Sequence, residues 1–109
     1  MTPEGRVKAK VDRELNRGGL AYYKFKPVQN GMGAPGLDYY TCIRGWFVAI
    51  ETKVEGKKLT PRQASTAKHI VAAGGTVFVI RNDYDIEYMM SCIKGGLNMG
   101  TMFDTLQGE

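Results

Sequence analysis

A chain of 109 residues has room for one hydrophobic core and too little for a separate binding module, so we expect one domain over residues 1–109. Apolar residues make up 43% of the chain and charged residues 24%, a balance that excludes a disordered or fibrous protein. The 15 Lys and Arg against 11 Asp and Glu leave a net charge of +4, which favours an acidic partner without singling one out.

The first predicted element is a helix over residues 3–17. Thr2 is its predicted N-cap, Pro3 takes the first helical position, and Glu4 faces the positive end of the helix dipole. Apolar residues then recur at every fourth position. After two glycines, residues 20–26 alternate and are rich in aromatic side chains, which predicts a strand, and a glycine-rich loop follows it.

Two further strands are predicted over residues 37–43 and 46–53. Arg44-Gly45 between them is short enough for a hairpin, so the strands are expected to be antiparallel neighbours. The second of them has apolar residues on both faces, which is typical of a central strand covered on both sides.

The second half of the chain predicts a helix, a strand and a last helix. Thr60 and Gln63 have capping-box spacing at the start of the first of these helices. Residues 76–80 form a continuous β-branched run, which predicts a buried parallel strand reached through that helix. Asp83 or Asp85 is the expected cap of the last helix, which runs to about residue 93 and precedes a glycine- and methionine-rich tail.

The two cysteines and the lack of long apolar runs bear on the compartment. Cys42 and Cys92 lack metal-ligand spacing, and Cys42 falls in a predicted strand, where a free thiol behaves as a small apolar side chain. No apolar run approaches the ~18 residues that span a bilayer, and Met1 is not followed by a signal segment. We expect a cytoplasmic protein with no membrane partner.

Charged residues at the end of the central predicted strand require an explanation, because an unpaired buried charge is costly. Glu51 and Lys53 are two residues apart and share one face of the strand. The hairpin places Asp38 roughly opposite Glu51. Two carboxylates that close repel each other unless a cation lies between them, and Mg²⁺ or Mn²⁺ suits a site made only of oxygen ligands.

This arrangement predicts hydrolysis of phosphodiester bonds. A hard cation held by few carboxylates keeps several waters, lowers the pKa of one of them and neutralises charge on a phosphate oxygen. Lys53 is then expected to steady the attacking water or the negative charge that develops at phosphorus.

Three segments resemble the motif series of the PD-(D/E)XK nucleases, and within that superfamily they are similar to the VRR-NUC group. The segments are Gly36-Leu37-Asp38, Ile50-Glu51-Thr52-Lys53 and Leu59-Thr60-Pro61-Arg62-Gln63. The resemblance covers residues 2–80, most of the chain. The group's usual proline before the first aspartate is replaced by Leu37, with Pro35 two residues earlier.

The resemblance implies an α/β fold with a restriction-endonuclease-like α-β-β-β-α-β core, in which a central mixed sheet is flanked by helices. It also implies DNA cleavage that depends on Mg²⁺ or Mn²⁺. The implied metal ligands are Asp38, Glu51, Glu4 and the backbone carbonyl of Thr52. The implied catalytic residues are Asp38, Glu51, Lys53 and Gln63.

Small members of this group, typically from bacterial viruses, resemble homodimeric resolvases that cut four-way DNA junctions. The resemblance therefore implies branched DNA as substrate, a homodimer and a phage-encoded protein in a bacterial cell. Apolar residues late in the chain are candidates either for that pairing or for packing of the last helix onto its own sheet. These residues are Tyr88, Met89, Met90, Met99, Met102 and Phe103.

Several of these residues have a second explanation. Glu4 also stabilises the helix dipole, and Gln63 also completes a capping box. Lys57, Lys58 and Arg62 flank the expected site and are candidates for phosphate contacts, although charges in a turn are also simply solvated.

Two other features leave alternatives open. The lysines and aromatics that alternate over residues 22–26 suit nucleic-acid binding or an amphipathic strand equally. His69, the single histidine, lies far in sequence from the carboxylates and is not expected to be catalytic. The alternative functions are a nuclease for single-stranded or flap DNA and a non-catalytic nucleic-acid-binding protein of the same fold.

Overall fold

The computed structural model describes residues 2–17, 22–27, 36–96 and 100–106. Within these ranges, five strands form one sheet in the order β1-β2-β3-β4-β5, and three helices pack on its two faces. The elements in chain order are α1 (Pro3–Arg17), β1 (Tyr22–Phe25), β2 (Tyr39–Ile43), β3 (Trp46–Thr52), α2 (Pro61–Ala72), β4 (Thr76–Ile80), α3 (Asp83–Gly95) and β5 (Met102–Phe103).

The predicted hairpin is confirmed. β2 and β3 pair antiparallel with Tyr39 opposite Ile50, and the two turn residues have positive φ angles of 50° at Arg44 and 85° at Gly45. Positive φ at both central residues is the type I′ geometry, whose twist matches that of the flanking strands. The turn therefore sets the register that extends to the far end of the hairpin.

The predicted helix and parallel strand of the second half are also confirmed. The backbone amide of Gln63 donates to Thr60 Oγ1 at 3.2 Å, and the amide of Thr60 donates to Gln63 Oε1 at 3.1 Å, which completes the capping box. α2 then leads into β4, which pairs parallel with β3. The sheet is therefore mixed, as expected.

β2 begins two residues later than predicted. The amide of Leu37 donates to the Tyr40 hydroxyl at 3.0 Å, and that of Asp38 donates to the Glu51 carboxylate at 3.0 Å. Side chains thus accept from these two amides in place of a neighbouring strand. The strand conformation therefore begins only after Asp38.

Two features of the C-terminal part differ from expectation. The N-cap of α3 is Asn82, whose side chain accepts from the Asp85 amide at 2.9 Å, and neither predicted aspartate caps the helix. Asp85 instead turns inward, where its carboxylate accepts from the Arg81 amide at 2.9 Å. The short strand β5 pairs parallel with β4 and was not predicted, since two residues show no periodicity.

The core lies on both faces of the sheet, as the pattern of β3 predicted. Val48 and Ile50 of β3 belong to the cluster under α1 and α3, whereas Ala49 belongs to the cluster under α2. Phe47 departs from the pattern and is 47% exposed. No helix within the described ranges is both long and apolar enough to cross a bilayer.

The late methionines and aromatics pack within the chain. Met89 and Met90 are buried in the cluster of α1 and α3. The Phe103 ring stacks on Phe78 at a centroid distance of 5.0 Å and meets the edge of Tyr88 at 5.3 Å. Packing within the chain is therefore observed for these residues, while a role of the exposed Tyr88 in pairing stays a prediction. Met99 lies outside the described residues, as do Pro35 and the glycines after α1.

Arg81 fastens the C-terminal segment to the sheet. Its side chain is 1% exposed, and its Nη1 contacts Asp104 Oδ1 at 2.6 Å while its Nε donates to the Lys57 carbonyl at 2.9 Å. Nη2 of Arg81 is buried without a hydrogen-bond partner among the described residues. Among the described residues, Asp104 is the carboxylate that contacts the Arg81 guanidinium. This contact holds residues 102–106 in place.

We expect Asp104→Ala to lower the free energy of unfolding by about 3–5 kcal/mol, because it leaves a buried guanidinium uncompensated. Asp83→Ala is the matched control. Asp83 contacts Lys10 at 2.6 Å, but its side chain is 69% exposed, so its loss should cost about 1 kcal/mol or less. Equilibrium denaturation in urea measures both, and equal losses would contradict the anchoring role of Arg81.

Candidate functional site

The predicted acidic pair meets at the end of the hairpin remote from its turn. Asp38 directly precedes β2, and Glu51 lies in β3, across from it in the observed register. The backbone amide of Asp38 donates to Glu51 Oε1 at 3.0 Å. The structure therefore brings these two residues together as predicted, although Asp38 lies just before β2 and not within it.

Bonds from β3 fix the orientation of the Asp38 carboxylate. Its Oδ2 accepts from the Thr52 backbone amide at 2.9 Å and from the Thr52 hydroxyl at 2.6 Å. Its Oδ1 lies 3.2 Å from Lys8 Nζ. The amide and hydroxyl of Thr52 thus position the aspartate, while a ligand role for the Thr52 carbonyl stays a prediction.

The Glu51 carboxylate is buried, with 2% of the residue exposed. Burial, and next the nearby Asp38 carboxylate, raise the pKa of Glu51 to about 8, although the Lys53 ammonium and the Asp38 amide act in the opposite direction. Lys53 Nζ lies 3.7 Å from Glu51 Oε2. The Lys53 ammonium at that distance does not offset the burial of Glu51, since the pKa of Glu51 stays raised.

Gln63 connects α2 to the site. Its Oε1 accepts from the Thr60 amide, and its Nε2 donates to Glu51 Oε2 at 3.1 Å. The capping box therefore fixes which end of the amide faces the carboxylate. Both explanations weighed for Gln63 are observed as contacts: it caps its helix and it reaches Glu51.

Glu4 completes a cluster of three carboxylates. One carboxylate oxygen from each of Glu4, Asp38 and Glu51 lies within 4.8 Å of the others. Glu4 comes from the first turn of α1, as expected for an acidic residue near the positive end of the helix dipole. Three converging carboxylates and no sulfur or imidazole form the donor set of a hard divalent cation, so the residues present fit Mg²⁺ or Mn²⁺.

Lys8 is part of this site and was missed from the sequence. It lies one turn after Glu4 on α1, and its contact with Asp38 brings a positive charge to the edge of the acidic cluster. Partial burial lowers the pKa of Lys8, but Asp38, Glu4 and Glu51 together raise it further, so it lies above the ordinary value. The spacing of four residues between Glu4 and Lys8 on a predicted helix could have indicated that both side chains lie on one face.

The other candidates lie around the cluster. Lys57 and Lys58 are exposed on the connection between β3 and α2, and Arg62 is exposed in the first turn of α2. Contacts of these three side chains with phosphate stay predictions. His69 Nδ1 contacts the Ser65 carbonyl at 2.8 Å on the exposed part of α2, a local helix contact.

Comparison with known proteins bears on the fold. No protein-family model and no curated protein matches this sequence. A solved structure described as a "VRR_NUC domain" matches with a TM-score of 0.70 and 22% sequence identity, covering 84% of this chain and 97% of that chain. The chain has the fold of a VRR_NUC domain.

This likeness confirms the predicted α/β fold, in which helices flank a central mixed sheet. In this chain Glu4 of α1, Asp38 directly before β2 and Glu51 of β3 lie together. Lys53 follows β3 directly and is held at the strand end, since its amide donates to the Ile80 carbonyl at 2.9 Å. The acidic cluster and the lysine are thus held by three different elements.

The raised pKa of Glu51 predicts how the stability of the metal-free protein depends on pH. Below about pH 4.5 the carboxyl is protonated whether the chain is folded or unfolded, whereas between about 4.5 and about 8 the folded protein keeps a proton that the unfolded chain releases. This group should therefore lower the free energy of unfolding as pH rises through that window, by at most about 1.4 kcal/mol per pH unit.

Glu51→Gln is the matched variant, because it keeps the shape of the side chain and removes the titration. In chelator, the unfolding free energy of the unaltered protein relative to this variant should fall as pH rises from about 4.5 to about 8 and then level off. Urea denaturation at a series of pH values measures this difference, and parallel curves would show that Glu51 titrates normally.

Proposed function

We propose that this protein is an endodeoxyribonuclease that hydrolyses phosphodiester bonds and depends on a divalent metal ion. The observation that carries the proposal is the cluster of Glu4, Asp38 and Glu51, whose ligand atoms lie within 4.8 Å of one another, with Lys53 beside it. The likeness to a VRR_NUC domain structure supports it. A net charge of +4 suits a polyanionic substrate.

Asp38, Glu51 and Glu4, together with the Thr52 carbonyl, are proposed to hold Mg²⁺ or Mn²⁺. When bound, such a cation supplies a lowered pKa for a nucleophilic water and neutralises charge on a phosphate oxygen. The chain contributes preorganisation, because hydrogen bonds from Thr52 orient Asp38 and a hydrogen bond from Gln63 orients Glu51.

Lys53 is proposed as the catalytic lysine. Its side chain is 15% exposed and its ammonium lies beside the cluster, 3.7 Å from Glu51 Oε2. From there it can donate a hydrogen bond to the attacking water or to the phosphoryl oxygen on which charge increases. A positive charge held in a partly buried position stabilises the transition state more than a solvated one does.

The finer proposal is that the substrate is branched DNA, cut by a homodimer. The motif resemblance supports it, and so does geometry: two symmetric cuts in a four-way junction require two sites, which one site per chain supplies through a two-fold axis. Lys57, Lys58 and Arg62 are proposed to contact backbone phosphates, which positions DNA without reading its sequence.

A non-catalytic nucleic-acid-binding protein is the second candidate function. It is weaker because a binding protein has no use for three converging carboxylates, which repel a polyanion when no cation is present. Metal binding separates the two candidates.

The first test is a cleavage assay on four-way junctions, flaps, duplexes and single strands, with Mg²⁺, with Mn²⁺ and with chelator. We expect metal-dependent cleavage, fastest on the junction, and a loss of about 100-fold or more in rate for Lys53→Ala with DNA binding within about threefold. Lys94→Ala is the control, since Lys94 is an exposed lysine on the last turn of α3.

An undiminished rate in Lys53→Ala would overturn the role assigned to that lysine. Faster cleavage of flaps or single strands than of junctions would keep the nuclease and reject the branched substrate. Sedimentation of the protein with and without junction measures the proposed homodimer.

The second test is calorimetric titration with Mn²⁺. We expect saturable heat for the unaltered protein and a loss of at least about tenfold in affinity for Asp38→Asn, because the variant removes one charged ligand of the cluster. Asp83→Asn, which alters an exposed carboxylate of α3, should bind as the unaltered protein does. Absence of heat from the unaltered protein would favour the non-catalytic candidate.

A further inference from the structure

A groove of about 350 Å³ adjoins the carboxylate cluster on the side of α1 and β1. Asp38, the residue shared by the groove and the cluster, marks where the two meet. We call this feature the lysine groove. The residues that line it are Lys8, Asp12, Lys26, Pro27, Asp38 and Tyr39.

Asp12, which lines the groove, contacts two lysines: Lys24 of β1 and Lys26, which directly follows β1. Lys26 Nζ lies 2.8 Å from Asp12 Oδ2, and Lys24 also bonds to the Asp12 carboxylate. Both ammonium groups lie over the ring of Tyr39, at 5.3 and 5.7 Å from its centroid. Burial raises the pKa of Asp12, but Lys24 and Lys26 lower it further, so Asp12 is ionised at neutral pH.

The charges at the groove do not balance once a cation occupies the carboxylate cluster. Lys8, Lys24 and Lys26 bring three positive charges, and Asp12 brings one negative charge. Asp38 is the remaining carboxylate, and a bound divalent cation takes up its charge. The lysine groove is then a net positive surface next to the proposed reaction centre, which suits an anion.

The two lysines that line the groove can reach a ligand. The side chain of Lys8 is 42% exposed and that of Lys26 is 52% exposed. An ammonium carries three N–H donors, and the one carboxylate contact that each makes in the described part of the chain leaves donors for another acceptor. Phosphate oxygens are acceptors that lysine binds as a point charge.

The lysines and the aromatic residues that alternate along β1 lie on opposite faces of the sheet. Lys24 and Lys26 share the face toward Asp12 of α1, whereas Tyr23 and Phe25 alternate to the opposite face and are 69% and 53% exposed. Bases stacked on those aromatics would lie across the sheet from the lysines. Tyr23 and Phe25 are therefore not part of the surface that Lys24 and Lys26 form.

We propose that the lysine groove binds a backbone phosphate of the DNA strand, adjoining the phosphodiester that is cut. This proposal rests on the proposed function for its substrate, and it adds a contact on the α1 side, opposite Lys57, Lys58 and Arg62. Lys8 donates to this phosphate after a bound metal ion takes over the Asp38 carboxylate. Lys26, held by Asp12, forms the outer wall of the phosphate site.

The test measures DNA affinity rather than cleavage. Fluorescence anisotropy of a labelled four-way junction and of a duplex is recorded over a range of salt, in chelator and again in Mg²⁺ on the Lys53→Ala background. Lys26→Met and Lys8→Met remove a charge but keep an aliphatic stem of similar length. Lys94→Met is the matched control on α3.

We expect Kd to rise about 5–10-fold at 0.1 M salt for Lys26→Met and to be unchanged for Lys94→Met. The slope of log K against log salt should fall by about 1 for each groove lysine, which corresponds to one phosphate contact. Lys8→Met should weaken binding more in Mg²⁺ than in chelator, since Asp38 holds Lys8 when no metal is bound.

A scan with single methylphosphonate linkages, which carry no charge, distinguishes a direct contact from a general field. At one linkage position, the losses from the neutral linkage and from Lys26→Met should not add, and the second change should alter Kd by less than about twofold. Additive losses at every position would overturn the groove as a phosphate site. Melting temperatures confirm that the variants are folded.

The two proposals fail separately. Affinity of Lys26→Met equal to that of Lys94→Met would overturn the lysine groove even if the protein cleaves DNA. Loss of affinity in Lys26→Met by a protein that cleaves no DNA would support the groove and reject the nuclease. Absence of DNA binding by the unaltered protein in both buffers would overturn both.

Discussion

The exchange of hydrogen bonds between Asp38 and β3 is the constraint on which the site depends. The backbone of Asp38 donates to the Glu51 side chain, and the backbone and hydroxyl of Thr52 donate to the Asp38 side chain. These bonds hold two carboxyl groups close together in a buried place, where burial and proximity favour the protonated form of one of them. The electrostatic cost of this arrangement is seen in the raised pKa of Glu51, and a bound cation would reduce that cost.

Helices from both faces of the sheet complete what the strands begin. α1 adds Glu4 to the cluster and Lys8 to its edge, while α2 adds the amide of Gln63. The first turns of α1 and α2 thus deliver side chains to the site, Glu4 from α1 and Gln63 from the capping box of α2. A substitution at Gln63 should therefore both weaken the cap of α2 and remove the hydrogen bond to Glu51.

The charges are arranged in zones. Carboxylates occupy the centre, and lysines lie at its edge on α1, on the C-terminal side of β1 and after β3. Each lysine touches a carboxylate, which keeps it in place and lowers the cost of concentrating positive charge. A separate buried pair, Arg81 with Asp104, serves the fold by holding residues 102–106 against the sheet.

Much of the site followed from local rules. The period of a strand puts Glu51 and Lys53 on one face, a two-residue turn at Arg44-Gly45 sets the position of Asp38, and Thr60 with Gln63 marks a helix start; each depends on residues close in sequence. These local rules do not predict three other contacts. Lys8 and Arg81 contact carboxylates 30 and 23 residues away in sequence, and the contact of Lys26 depends on how α1 packs. For example, Lys26 meets Asp12 only because β1 lies along α1. The sequence by itself determined the first four strands, the acidic pair and Lys53 beside it, since strand period and turn type are local properties. Only the tertiary structure decided that Lys8 and Lys26 lie near that pair, because the packing of α1 against the sheet sets their contacts.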